Sequence, residues 1–337
     1  MSSKPKKILI IAPAWLGDMV MAHSLIQVIR QQHPDAALAV LAPQATLQIT
    51  ELMPEISARF LMPEQHGQFN LWTRFKLARQ LRAEHFSVAY VLPNSWKSAL
   101  IPFLAGIPKR IGALGEQRYV LLNDLRKGVK QWPLMVQRYV TLGFPPQGFT
   151  AETPFPYPRL IVPETLRQQV QKKLALDVHK PILVLSPGAA FGPAKRWPTA
   201  YFAAVATAKI EAGYQVWIIG GPAEKNLGEE IQSLEPRVHN FVMQTSLLEM
   251  AALLSFAQQV LTNDSGPMHI AASLNVSVFA IFGSSSAGFT PPLGDKITII
   301  EKLGLSCRPC FERVCPLGHY ACLKEITPDQ VLIRMTS

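Results

Sequence analysis

The sequence predicts an α/β protein made of two doubly wound halves, each a parallel sheet flanked by helices. Three observations carry this. Short apolar runs typical of strands covered on both faces recur, first as Lys7-Ile8-Leu9-Ile10-Ile11-Ala12-Pro13 and later as Pro181-Ile182-Leu183-Val184-Leu185-Ser186. Helical stretches separate the runs, which is the βαβ alternation of a parallel sheet. Between the halves, residues 144–163 hold Pro145, Pro146, Pro154, Pro156, Pro158 and Pro163, a density that disfavours regular structure and stiffens a connection. A chain of 337 residues is expected to form two domains, placed at 1–160 and 161–337.

In chain order, the first apolar run leads through Ala14-Trp15-Leu16-Gly17-Asp18 into a helix with Met19, Ala22, Ile26 and Ile29 at helical spacing. A loop in that position lies at the carboxyl edge of a parallel sheet, where ligands bind. Asp18 reads either as the N-cap of a helix starting at Met19 or as a carboxylate facing a ligand, and one position can serve both. Strands are expected at Leu38–Leu41, Arg59–Met62 and Val88–Leu92, with a helix over Leu71–Arg82. The last of these strands ends in Pro93-Asn94-Ser95-Trp96-Lys97. Lys109, Arg110, Arg118 and Arg126 then form a basic segment around Gly112 and Gly115, read as a solvated surface or as a contact for an anionic ligand.

The second half opens with a helix at Glu164–Leu174 and the strand at 181–185. A loop from Gly188 to Pro198 follows, with Gly192 and the adjacent cations Lys195 and Arg196, and Pro198 near the first position of a helix. Lys195 could reach a phosphate held over the sheet edge, or the pair could lie in a surface loop. Further strands are expected at Gln215–Ile219, Asn240–Val242, Val260–Thr262 and Val276–Phe282. Gly220-Gly221 and Gly283-Ser284-Ser285-Ser286 place small residues at the same edge. Asn263-Asp264-Ser265-Gly266-Pro267-Met268-His269 reads as a strand turning abruptly into a helix. Free amides and the positive end of the helix dipole suit a phosphate there. The plainer reading is a capped helix, with Asp264 or Ser265 as cap and His269 packed inside.

Composition narrows the choice. With 48% hydrophobic and 17% charged residues the chain can bury substantial cores, and no apolar run reaches membrane-spanning length. The basic start, Met1-Ser2-Ser3-Lys4-Pro5-Lys6-Lys7, is followed by Asp18 and an amphipathic helix, which argues against a signal peptide and for a cytoplasmic protein. A formal charge of +10 implies an anionic partner. No zinc-finger, helix-turn-helix or RNA-binding motif accompanies it, so nucleic acid is not expected. Ala12-Pro13-Ala14-Trp15-Leu16-Gly17 lacks the Gly-x-Gly-x-x-Gly fingerprint of nicotinamide enzymes. Cys307, Cys310, Cys315 and Cys322 gather all four cysteines of the chain into sixteen residues, with His319 among them. They read as reduced thiols in a packed loop or as a structural zinc site, at a spacing irregular for a zinc ribbon.

Taken together, Gly17-Asp18, Pro187-Gly188 followed by Lys195-Arg196-Trp197-Pro198, and Asn263 to His269 resemble the bacterial ADP-heptose:lipopolysaccharide heptosyltransferases. The stretches Val91–Leu100 and Phe289-Thr290-Pro291-Pro292-Leu293 extend the resemblance over nearly the whole chain. It implies a GT-B fold, two Rossmann-like domains facing each other across a cleft. It further implies inverting transfer of L-glycero-D-manno-heptose from ADP-heptose to a heptose already on the Kdo–lipid A inner core, with no catalytic metal and no required cofactor. Asp18 would be the general base, and Lys195 would stabilise the leaving diphosphate. The donor would be held by Gly17, Gly188, Lys195, Arg196, Trp197, Asp264, Ser265, Gly266, Met268 and His269. The acceptor would meet Asn94, Lys97, Arg110 and Arg118. A monomer in peripheral contact with the cytoplasmic face of the inner membrane is expected. Alternatives are a related enzyme using another nucleotide sugar, such as a UDP-sugar 2-epimerase, or a non-catalytic basic module that docks on lipopolysaccharide.

Overall fold

The computed structural model describes residues 6–62 and 70–336, so residues 1–5 of the basic start lie outside the described residues. The chain forms two compact units, Met1–Pro158 and Arg159–Ser337, dividing inside the proline-rich stretch.

The first unit runs β1 (Lys7–Ile11), α1 (Leu16–Gln32), β2 (Ala37–Pro43), α2 (Gln44–Leu47), β3 (Ile56–Met62), α3 (Leu71–Ala83), β4 (Val88–Val91), α4 (Trp96–Leu104), β5 (Lys109–Ala113), β6 (Asp124–Arg126) and α5 (Met135–Val140). Its strands are all parallel, in the order β3-β2-β1-β4-β5-β6. Ile8 to Ile11 of β1 are wholly buried, because β1 is paired on both edges and covered on both faces. Leu9 and Ile11 join Leu41, Val91, Leu77, Leu81 and Ile101 in one core. α1 buries Met19, Ala22, Ile26 and Ile29, as their spacing predicts, and α5 packs on it.

The second unit runs α6 (Glu164–Lys173), β7 (Ile182–Ser186), α7 (Thr199–Glu211), β8 (Gln215–Ile218), α8 (Lys225–Leu234), β9 (His239–Asn240), α9 (Leu247–Phe256), β10 (Gln259–Asn263), α10 (Gly266–Ser273), β11 (Ser277–Phe282), β12 (Ile297–Glu301), α11 (Ala321–Lys324) and α12 (Pro328–Thr336). The sheet is again parallel, in the order β12-β11-β10-β7-β8-β9. In each sheet the winding reverses beside the unit's first strand, between β1 and β4 and between β7 and β10. Such a switch opens a crevice beyond the carboxyl ends of the two strands.

Several elements differ from the sequence reading. β5, β6 and β12 are strands that it did not anticipate. β5 begins at Lys109-Arg110, inside what read as a basic surface, because Ile111 and Ala113 are buried and the strand pairs with β4. β9 is two residues long and starts at His239, one residue ahead of the expected Asn240–Val242. α1 starts at Leu16, with Trp15 in the cap position, so Asp18 is the third residue of the helix and not its cap. Pro198 occupies the cap position of α7.

Candidate active site

The loops after β7, β8, β10 and β11 share the carboxyl edge of the second sheet. At the switch, the Lys195 ammonium donates to the Asp264 carboxylate at 2.5 Å, with the two side chains 15% and 5% exposed. The Ser285 hydroxyl donates to the same oxygen. A carboxylate that deep is tolerable only with such partners. The Lys195 ammonium also lies 5.0 Å from the centre of the Phe191 ring. His269, on the first turn of α10, is buried, which holds its pKa down to about 4; the Lys195 charge adds to this and Asp264 opposes it. The ring is therefore neutral near pH 7. Ser265 stands in the cap position of α10 with extended backbone, but its side chain makes no cap bond, and Pro267 sits in the first turn. The dipole of α10 thus points its positive end at the Lys195–Asp264 pair's edge of the sheet.

Asn263 ties the loops together. Wholly buried at the end of β10, it accepts from the Trp197 amide at 3.0 Å and donates to the Pro187 carbonyl at 2.7 Å. Gly188 and Gly220 lie under Glu224, where a Cβ would stand 2.5 Å and 2.6 Å from that side chain. Glu224 itself accepts from the Gly221 amide at 2.9 Å. Sequence reasoning missed Asn263, Glu224 and Ser285 as site residues, although it had marked the loops carrying the first and third.

Two residues expected at the donor bury their side chains in the core. The Trp197 side chain is 1% exposed, packs on Tyr201 and Phe202, and donates its indole N–H to the Ile326 carbonyl, so it belongs to the core. The Met268 side chain is fully buried as well. Their place in the motif reflects packing that holds the loops. Arg196 donates to the Ala189 carbonyl at 3.3 Å and braces the β7 loop.

In the first unit, Gly17 and Asp18 follow β1 and Asn94 follows β4, so they flank the switch. Asp18 is half-buried. It accepts a hydrogen bond from the hydroxyl of Tyr139 on α5. Burial, and next the charge of Asp18, push the Tyr139 hydroxyl well above its usual pKa, so it remains a donor. Asn94 is exposed and Lys97 half-buried in the first turn of α4.

The two arginines expected at the acceptor are placed otherwise. Arg118 is 1% exposed and donates to the Pro93 carbonyl at 2.7 Å and the Ala113 carbonyl at 2.6 Å, clamping the carboxyl ends of β4 and β5 from inside. Arg110 is the second residue of β5, at the opposite edge of the sheet, and donates to the carbonyls of Leu121 and Ile107. Arg126 is also buried, bonded to Asp124. The segment read as basic surface is largely framework.

Two doubly wound units of six parallel strands, each with polar loops at its own switch and with a lysine and a helix N-terminus at the second, have the make-up of a GT-B glycosyltransferase. Comparison with known proteins narrows this. The sequence profile of Glycosyltransferase family 9 (heptosyltransferase) matches residues 74–321, and the chain belongs to that family. It is 42% identical to lipooligosaccharide heptosyltransferase 2 of Haemophilus influenzae, over 97% of this chain and 98% of the relative. It is 39% identical to lipopolysaccharide heptosyltransferase 2 of Escherichia coli K12, over 97% and 96%. The solved structure of the E. coli ADP-heptose LPS heptosyltransferase II matches with a TM-score of 0.86 at 36% identity, covering 98% of this chain and 97% of that one.

Proposed function

We propose that the protein transfers L-glycero-D-manno-heptose from ADP-heptose to the heptose of a heptosyl-Kdo–lipid A acceptor, with inversion. The observation that carries this reading is the cluster of Lys195, Asp264 and Ser285 beside the N-terminus of α10, in a chain of the heptosyltransferase family. Breaking the bond to the sugar leaves negative charge on a diphosphate, and an ammonium together with helix amides answers that charge where it develops. Glu224, lying over Gly188 and Gly220, offers a carboxylate to ribose hydroxyls. Asp264, with Lys195 and Ser285 on one oxygen, sets the position of the ammonium.

Asp18 serves as general base for the acceptor hydroxyl, held by the Tyr139 hydroxyl. Attack by the activated hydroxyl on the anomeric carbon, opposite the departing diphosphate, gives inversion in one displacement. Asn94 and Lys97 at the same sheet edge meet the phosphorylated acceptor. A peripheral contact with an anionic membrane is supported by the outward face of α3, where Trp72 and Phe75 are 77% and 55% exposed and stacked, beside the exposed Lys76 and Arg79. No helix among the described residues is long and apolar enough to cross a membrane.

The test is incubation with ADP-heptose and heptosyl-Kdo–lipid A, followed by mass spectrometry. The expected product is heavier by one heptose. Turnover of a UDP-sugar with none of ADP-heptose would reject the donor assignment.

A further inference from the structure

We propose that Cys307, Cys310, Cys315 and Cys322 bind a single zinc-type metal ion, which pins the loops carrying Lys195 and Ser285. All four thiols are free and half-buried. They line one cavity of about 20 Å³ together with Ser284, Arg308 and His319. That is room for one atom-sized body and too little for a cluster. Soft thiolates in this number select zinc-like ions.

The Ser284 hydroxyl is 2% exposed and has no hydrogen-bond partner among the described residues, an orphan that a native interior rarely leaves. Cys315 opens a tight turn in which the Gly318 amide donates to the Cys315 carbonyl at 3.1 Å and Gly318 takes φ +70°. Arg308, between the first two cysteines and 8% exposed in its side chain, is paired with Glu301 at 2.6 Å. His319 accepts from the Ala321 amide at 2.9 Å through Nδ1, which leaves the four sulfurs as the ligand set.

Among the described residues no group of three or more His, Cys, Asp or Glu side chains stands close enough to hold a metal ion as placed, so binding requires the cysteine segment to draw in. The thiols converge on the cavity without closing on it. Cys307, Cys310 and Cys315 lie in residues 302–320, which contain no strand or helix, so drawing their sulfurs to about 2.3 Å from an ion breaks no ladder, while Cys322 on α11 is the fixed point. Binding would release one proton from each thiol to solvent.

The consequence lies in what the segment holds. The amides of Cys310 and Phe311 donate to the Ser284 carbonyl, and Arg308 donates to the carbonyls of Gly283 and Ser285. The Ala194 amide donates to the Arg313 carbonyl, and the Ser284 amide to the Ala194 carbonyl. The cysteine segment thus fastens the β7 loop to the β11 loop.

The test uses the whole chain, purified without chelator, and reads metal rather than transfer, so its failure and that of the heptosyltransferase reading are separate. Elemental analysis should find about one zinc per chain, released by an organomercurial thiol reagent. Chain stripped under reducing conditions should take up one cobalt(II), with a thiolate-to-cobalt charge-transfer band that zinc removes. ADP should bind the stripped chain several-fold more weakly, with restoration on adding zinc. A chain that neither carries zinc nor develops the cobalt band overturns the site. Stoichiometric metal with unchanged ADP affinity overturns the pinning. Cys310→Ser and Cys322→Ser should each carry no zinc; should they fail to fold, the wild-type titrations decide alone.

Discussion

Replacing Lys195 by Ala should show two effects that a second substitution can separate. The first is on stability, because the Asp264 carboxylate is 5% exposed and loses one of its two side-chain donors, keeping only Ser285. Stranding one partner of a buried pair costs about 3–5 kcal/mol, and the remaining hydroxyl puts the expectation near the lower figure. For a unit the size of Arg159–Ser337 that is a fall in melting temperature of roughly 6–12 °C. The second effect is on catalysis, where losing a charge that answers the developing diphosphate should cost roughly 10²–10³ in rate at saturating donor. Asp264→Asn in the same chain removes the stranded charge, so the double variant should recover most of the lost melting temperature while remaining slow. Differential scanning calorimetry, ADP titration and single-turnover transfer on the same preparations give the three numbers. If the double variant regained near wild-type turnover, Lys195 would matter only through the fold. If the single variant melted like wild type, Lys195 and Asp264 would not form a stabilising buried pair.

The other expectations concern the first unit and one buried histidine. Asp18→Asn keeps size and hydrogen bonding but cannot take a proton, so turnover should fall roughly 10²–10⁴-fold with ADP affinity intact; a loss of only a few-fold removes Asp18 from the mechanism. Tyr139→Phe removes a hydrogen bond to a charged group, worth about 1.5–3 kcal/mol, and should slow transfer by roughly one to two decades without altering ADP binding. Unchanged turnover in that variant would show that Asp18 needs no orienting partner. His269 has a folded pKa of about 4, below its ordinary 6.5, so protons favour the unfolded chain: the stability it contributes is whole above pH 6.5 and declines as pH falls toward 4. Thermal melts should lose about 2 kcal/mol between pH 7 and pH 5 from this residue, and His269→Gln should lose less over the same interval; parallel curves would refute it.

The fold was legible wherever burial on both faces wrote itself as an uninterrupted apolar run. β1 and β7 could be read because Ile8–Ile11 and Ile182–Leu185 leave no other explanation for so many apolar residues in a row, and β10 because Val260-Leu261 runs straight into turn residues. β5 could not, since it opens on Lys109-Arg110 and has only Ile111, Gly112 and Ala113 to declare it. β12 is an edge strand with mostly half-buried positions. The family resemblance rested on loop motifs and was borne out by the family match and the relatives. Individual roles were less legible, because contacts across the sheet decide them. The pairing of Lys195 with Asp264 spans 69 residues, and Arg118 is turned inward by carbonyls at Pro93 and Ala113. A charged side chain in sequence says solvent until its partners are known. Tyr139 was invisible for the same reason, since nothing local marks a tyrosine on a six-residue helix as the partner of Asp18.

Asn263 behaves as a rung between strands made from a side chain rather than from backbone. With its oxygen taken by the Trp197 amide and its nitrogen by the Pro187 carbonyl, the two loops beside the switch form one rigid piece before any nucleotide arrives. A pocket set in advance does not spend ligand free energy on ordering itself. ADP should therefore associate at a rate governed by diffusion and charge, with no slow unimolecular step at high nucleotide concentration. Any conformational gating of the enzyme would then belong to the acceptor's side of the reaction.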